Sequence, residues 1–147
     1  MNREELTSLK GWFSAYCRSF YTTDISDQRN ISLKEEHTYR VCDNVLRLAE
    51  GLALEDTDTN FAETIALFHD VGRFPQYRQY KTFKDAYSVN HAALGVKVLA
   101  EERVLDDLEE EDRKVIIQAI GLHNVFSIPE DLDEKSAFLI LSSPRSY

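Results

Sequence analysis

The chain has 147 residues, of which 43% are hydrophobic, and these values fit a single globular domain over residues 1–147. Its formal net charge of −9 argues against a nucleic-acid polymer as a partner, because such a surface repels phosphates. No apolar run is as long as a membrane span, the start MNREELTSLK is too polar for a signal peptide, and two cysteines outside any CxxC motif are typical of a cytoplasmic protein.

Helix-type periodicity predicts three helices in the first half of the chain. The first carries an apolar stripe at steps of three and four residues, made of Leu6, Leu9, Trp12, Phe13, Tyr16 and Phe20. Ser32 and Glu35 have capping-box spacing and predict the start of the second helix, whose stripe is Val41, Val45, Leu48 and Leu52. Asn60 and Glu63 repeat this spacing before a third helix, which carries Ala62, Ile65 and Ala66 and ends near Gly72 and Pro75.

Two further helices are predicted after a long loop. Asn90 is expected to cap the fourth, with Leu94 and Val98 facing inward. The fifth follows the acidic turn DDLEEED, and its apolar positions are Val115, Ile116, Ala119 and Ile120. Strand-type alternation is absent over any convincing length, so the predicted fold class is all-α.

All four histidines fall on predicted inward faces of four different helices. They are His37, His69, His91 and His123. A single histidine on an apolar face is usually an ordinary core residue, but this explanation is weaker for four out of four. Imidazole is the commonest protein ligand for transition metals, and a helical bundle can bring such groups to one interior point.

Asp70 follows His69 directly at the end of an apolar run, in the stretch FHDVGRF. A buried carboxylate is costly unless it is compensated, and an ionised carboxylate can accept on both oxygens. A metal ion would compensate Asp70 and use the imidazoles. The residues therefore predict a metal site.

The order of these residues resembles the HD-domain superfamily of metal-dependent phosphohydrolases. The segments KEEHTYRV, ALFHDVGRF, NHAALGVKVL and IIQAIGLHN carry the resemblance, which runs from about Leu33 to Asn124. It implies a compact helical bundle with the metal at its centre. By this resemblance the first metal would be bound by His37, His69 and Asp70, and a second would be bound by Asp70, His91 and His123.

The chain departs from the family pattern in one respect. The family completes its first site with an aspartate on a later helix, and no residue here matches it, since Asp131 and Asp133 follow Pro129 in a predicted loop. The apolar segment SAFLIL is then interrupted by SSPRSY. We therefore expect a chain shortened or altered at its C-terminus, with impaired activity and an uncovered apolar face that favours a homo-oligomer.

The resemblance implies hydrolysis of a nucleotide or other small phosphate ester by a metal-activated water. The catalytic candidates are His69, Asp70 and Arg73, and the cofactor is one or two divalent ions of Mn, Fe, Co, Ni, Zn or Mg. Two other functions stay open at this point. One is a diiron oxygenase, and the other is a non-catalytic sensor of a metal or nucleotide.

Residues 73–90, the segment between the HD pair and His91, are the candidate substrate-binding loop. Four cations, Arg73, Arg78, Lys81 and Lys84, alternate there with the aromatic residues Phe74, Tyr77, Tyr80, Phe83 and Tyr87. Cations could hold a phosphate and aromatic rings could stack on a base. Arg73 is the leading phosphate candidate, whereas the simpler interpretation is a solvated loop. Asn90 and Asn124 adjoin proposed ligands and could orient them.

Overall fold

The computed structural model describes residues 1–123. Within this range it contains helices and no strand, so the predicted all-α class is confirmed. The helices are α1 Arg3–Arg18, α2 Ile25–Gly51, α3 Asp56–Phe68, α4 Arg73–Tyr80, α5 His91–Glu101 and α6 Glu110–Leu122, with a 3-10 helix at Asp85–Tyr87. Asn124, Asp131, Asp133 and the C-terminal apolar segment lie outside the described residues, so the predictions for them are untested.

Helix α1 has the predicted inward stripe. Leu6, Leu9, Phe13 and Cys17 are buried along it, and Phe20 is buried just beyond the helix end. The helix begins at a capping box in which Asn2 and Glu5 exchange side chain to backbone hydrogen bonds. Trp12 and Tyr16 are half-buried at the edge of this stripe and stack on one another, with ring centroids 4.6 Å apart.

Helix α2 begins earlier than predicted. Its N-cap is Asp24, whose side chain accepts from the backbone nitrogen of Asp27, so Ser32 lies inside the helix and the predicted start there was wrong. Val41 and Val45 are buried as expected, but the inward face continues through Ala49 at the next step of four. Leu48 and Leu52, in turn, are 47% and 53% exposed.

Helix α3 lies at the centre of the bundle and packs against α1, α2 and α6. It begins at Asp56, so the capping role predicted for Asn60 and Glu63 was wrong. Both side chains are buried and bind across the fold instead. Asn60 donates to the Met1 carbonyl, and Glu63 pairs with Arg3 and Lys10 of α1. These partners are distant in sequence, which local spacing could not indicate.

Helix α4 forms where a loop was predicted. Pro75 lies in its first turn, a position whose backbone nitrogen has no intrahelical acceptor, so the proline is tolerated. The preceding Gly72 lies hard against α5. A Cβ atom at this position would clash with the His91 carbonyl oxygen and lie 2.6 Å from the Gly95 backbone nitrogen. The missing side chain therefore allows α4 to start directly beside the N-terminus of α5.

The last two described helices follow the prediction closely. Asn90 caps α5 by accepting from the backbone nitrogens of Ala92 and Ala93. Val98 is buried on α5 while Leu94 is half-buried. On α6 the buried positions are Ile116, Ala119 and Ile120, and Val115 is half-buried. Among the helices of residues 1–123, none combines the length and apolarity needed to cross a bilayer.

Candidate metal centre

His69 and Asp70 occupy the turn between α3 and α4, and both are completely buried. Every residue of α3 from Asn60 to Phe68 is buried, so the chain already lies in the core where this turn begins. The Nδ1 atom of His69 lies 2.6 Å from the carbonyl oxygen of Ala66. Because a carbonyl only accepts, Nδ1 carries the proton and Nε2 presents a lone pair. Among the described residues this Nε2 has no hydrogen-bond partner.

The Asp70 carboxylate is the common centre of the cluster. Its Oδ2 lies 3.4 Å from Nε2 of His69 and 3.6 Å from Nε2 of His37. Its Oδ1 lies 3.4 Å from Nε2 of His91. His37, His69 and Asp70 therefore form one triad of close donor atoms, and Asp70, His91 and His123 form another. Within each triad the donor atoms lie within 4.8 Å of one another.

His91 and His123 face each other through their Nε2 atoms, which are 3.1 Å apart. The Nδ1 of His123 lies 2.7 Å from the Ile120 carbonyl oxygen, and the Nδ1 of His91 lies 2.9 Å from Oδ2 of Asp85. Both of these partners are acceptors, so each Nδ1 holds the proton. Two lone pairs then point at one another, an arrangement that a cation between or beside them would stabilise.

Three of the histidines, His37, His91 and His123, are held in the neutral form that binds metals. Burial lowers the pKa of His37 and His91, and for His91 the nearby Arg73 lowers it further. Burial also lowers the pKa of His123 to about 4. These imidazoles are therefore ready to coordinate at neutral pH without first losing a proton.

Acidification is expected to destabilise the metal-free protein. His123 has a pKa of about 4 when folded and 6.5 when exposed, so between these values the unfolded chain binds the proton and the folded chain does not. The stability that neutral His123 contributes to the folded state is therefore fully present above about pH 6.5. It is lost as the pH falls towards about 4. The full loss from this residue, reached below the lower value, is about 3 kcal/mol, of which about 2 kcal/mol has occurred by about pH 5.

Urea unfolding at about pH 7.5 and about pH 5 measures this dependence. His123→Gln should show a shallower loss than the wild type over the same interval. An equally steep loss in both proteins would contradict the role of His123.

Arg73 is buried beside Asp70, and one side of its guanidinium group is occupied by hydrogen bonds. Its Nη1 donates to Gln76, to the Phe83 carbonyl and to Asp85. Its Nε lies 3.7 Å from Oδ1 of Asp70 and makes no hydrogen bond within residues 1–123. The Nε edge of the guanidinium therefore faces Asp70, and its Nη1 atom holds the following loop through Phe83 and Asp85.

Lys34 is a cation of the site that was not predicted from the sequence. Its Nζ lies 3.9 Å from Oδ2 of Asp70, and its side chain is only 14% exposed. Burial lowers its pKa below the usual lysine value. It precedes His37 by three residues on α2, and positions three apart share a helix face. This three-residue spacing from His37 could have indicated that Lys34 lies at the site.

The other three predicted substrate-binding cations contact groups outside the cluster. Arg78 lies 4.0 Å from the ring centroid of Phe20, and Lys81 pairs with Asp27 at 3.1 Å. Lys84 is exposed, with Nζ 5.7 Å from the ring centroid of Tyr87. A role for them in substrate binding stays a prediction. The Asn90 side chain serves as a helix cap, and Asn124 is outside the described range.

Comparison with known families and proteins adds one finding. A family model described as HD domain matches residues 35–140, which is more than half of the chain. The matched segment includes every residue of the two triads. No curated protein and no solved structure was found to match.

Proposed function

Because the chain belongs to the HD-domain family, we propose that it is a metal-dependent phosphohydrolase acting on a small phosphate ester or nucleotide. One observation carries the proposal. The Nε2 lone pairs of His91 and His123 face each other beside a buried carboxylate, and a cation would stabilise this arrangement.

We expect one or two divalent ions, and the donor set fits Mn, Fe, Co, Ni or Zn better than Mg, which prefers oxygen ligands. His37, His69 and Asp70 would hold one, and His91 and His123 would hold another together with Asp70. Mixed imidazole and carboxylate ligands suit transition metals. When bound, such an ion supplies a water of lowered pKa and neutralises charge on phosphoryl oxygens. Asp70 would bridge the two positions through its two oxygens.

Substrate would approach from the side of α2. The His37 side chain is 35% exposed, whereas those of His69 and His91 are at most 1% exposed. Lys34 stands beside this open side and would hold a phosphate oxygen. Lys84 and Tyr87 are exposed and follow Phe83, whose ring centroid lies 5.0 Å from Nζ of Lys34, so they would contact the rest of the substrate. A role of Arg78 and Lys81 in substrate binding stays a prediction, since their charged groups contact Phe20 and Asp27.

Lys34→Met is expected to raise KM for a phosphate ester by about 10-fold to 100-fold and to leave metal content unchanged. The reason is the loss of one charged hydrogen bond, worth about 1.5–3 kcal/mol. Steady-state kinetics and elemental analysis measure the two quantities. Lys97→Met is the control, because Lys97 is exposed and pairs with Glu101 on the surface. An unchanged KM in Lys34→Met would exclude this role.

The proposed activity is tested by release of phosphate from a panel of nucleotides and small phosphate esters. Metal-stripped protein is assayed alone and after addition of Mn, Fe, Co, Ni, Zn or Mg. We expect turnover only with added metal. Metal binding with no turnover on any substrate would favour a sensor. Oxygen consumption with iron, accompanied by an absorption band, would favour an oxygenase.

A further inference from the structure

The segment of residues 82–90, here named the strap, connects α4 to α5 and passes beside the second triad. Resting on the proposed function, we propose that Asp85 in the strap is a positioning residue for His91. Through Asp85, docking of the strap sets the affinity of the metal position formed by Asp70, His91 and His123.

Asp85 contacts His91 directly. Oδ2 of Asp85 lies 2.9 Å from Nδ1 of His91, and the His91 side chain is only 1% exposed. An acidic acceptor at Nδ1 fixes the proton there and leaves Nε2 for coordination. Such carboxylate partners orient metal-binding histidines and raise their basicity. Although partial burial raises the Asp85 pKa, hydrogen bonds from His91 and Gln76 hold it below its usual value.

Asp85 itself is held by α4. Its Oδ1 accepts from Nη1 of Arg73 and from Nε2 of Gln76, each at 2.9 Å. The two α4 residues are buried, with exposures of 2% and 0%. Asp85 therefore ties three elements together, namely α4, the strap and the first residue of α5.

The strap is also attached near both of its ends. Nε2 of Gln76 also donates to the Ser88 hydroxyl at 2.9 Å and to the Val89 carbonyl at 3.2 Å. Near the other end, the Phe83 ring stacks on Tyr77 with centroids 5.0 Å apart. Nζ of Lys34 lies 5.0 Å from that Phe83 centroid, so the strap reaches the open side of the site.

This geometry couples docking of the strap to metal binding at His91. If a docked strap orients His91 for metal binding, a bound metal must in turn favour the docked strap by the same free energy. A merely structural loop tie would stabilise the fold without distinguishing one metal position from the other. The two explanations therefore differ in what they predict for metal titrations.

The experiment compares the wild type with Asp85→Asn by calorimetric titration of Mn²⁺ or Zn²⁺ into the metal-free protein. We expect two ions in the wild type. In Asp85→Asn one of them should bind about 10-fold to 100-fold more weakly, while the other is unchanged. Asp106→Asn is the matched control, because that carboxylate pairs with Arg103 on the surface. His91→Gln should weaken the same ion as Asp85→Asn.

Hydrogen exchange supplies the second readout. Added metal should slow amide exchange within residues 82–90 of the wild type and not in Asp85→Asn. If Asp85→Asn fails to fold, Gln76→Met serves instead, since it releases the strap without touching His91. It should give the same loss of protection and a smaller loss of affinity.

Equal binding of both ions in the wild type and Asp85→Asn, with equal protection of the strap, would overturn the inference. A uniform loss of both ions would do the same, because it would indicate only a structural tie. If the wild type binds two ions and hydrolyses no phosphate ester, the proposed function fails while these titrations still decide the role of Asp85. If the wild type binds no ion, both fail together.

Discussion

Asp70→Asn is expected to remove metal from both positions and to lower phosphate-ester turnover by about a thousandfold, equivalent to about 4 kcal/mol. Asp70 belongs to both triads, and its two oxygens face different histidines. The amide has nearly the same shape but carries no charge, and only one of its two polar atoms can accept. Both metal positions therefore lose a ligand through a single substitution. Elemental analysis and kcat measure the result.

Two controls separate this effect from unfolding. Asp43→Asn makes the same chemical change at an exposed position of α2 and should leave metal content and kcat unchanged. Thermal unfolding of the metal-free Asp70→Asn protein shows whether the fold persists. A folded Asp70→Asn protein with wild-type metal content and turnover would refute the bridging role.

Gly72→Ala is expected to lower the free energy of unfolding by about 3 kcal/mol or more. The added Cβ would clash with the carbonyl oxygen of His91 and press on the backbone of Gly95. Both neighbours are backbone atoms of α5, so they cannot move aside as a side chain would. Relief requires either α5 or the turn that holds Gly72 to shift, and either shift would change the distance between His91 and Asp70. Urea unfolding and metal titration measure the two consequences.

Gly11→Ala is the matched control for this substitution. Gly11 lies within α1, and a Cβ there would meet nothing within 4 Å. Alanine is the better helix former, so this variant should gain roughly 0.5–1 kcal/mol of stability. Comparable stability of the Gly72→Ala protein and the wild type would show that the close contact between α4 and α5 is not required.

The parts of the fold that depend on local pattern were predictable. The inward stripe of α1 and the Asn90 cap of α5 follow from spacing within a few residues, and both are confirmed. The starts of α2 and α3 were not, because Asp24 caps α2 earlier, while Asn60 and Glu63 bind partners from the N-terminal region. Helix α4 was missed because Pro75 suggested a break, although a first turn accommodates proline.

In the site, too, the residues that follow a local pattern were predictable, and those that depend on distant contacts were not. The histidines and Asp70 could be placed together because each lies on an inward helical face or directly beside one. Lys34 was missed, although its spacing from His37 offered a signal. The role of Asp85 depends on the path of the strap between α4 and α5, which sequence pattern does not determine. In the sequence Asp85 was only the single negative charge within a basic segment.

Anomalous diffraction from crystals grown with Mn²⁺ or Zn²⁺ tests the central claim most directly. The account predicts one peak in contact with His37, His69 and Asp70, and a second in contact with Asp70, His91 and His123. Each peak should show coordination by the Nε2 atoms of its histidines. Crystals that hold metal only at other surfaces, with these residues free of any peak at saturating metal, would contradict it.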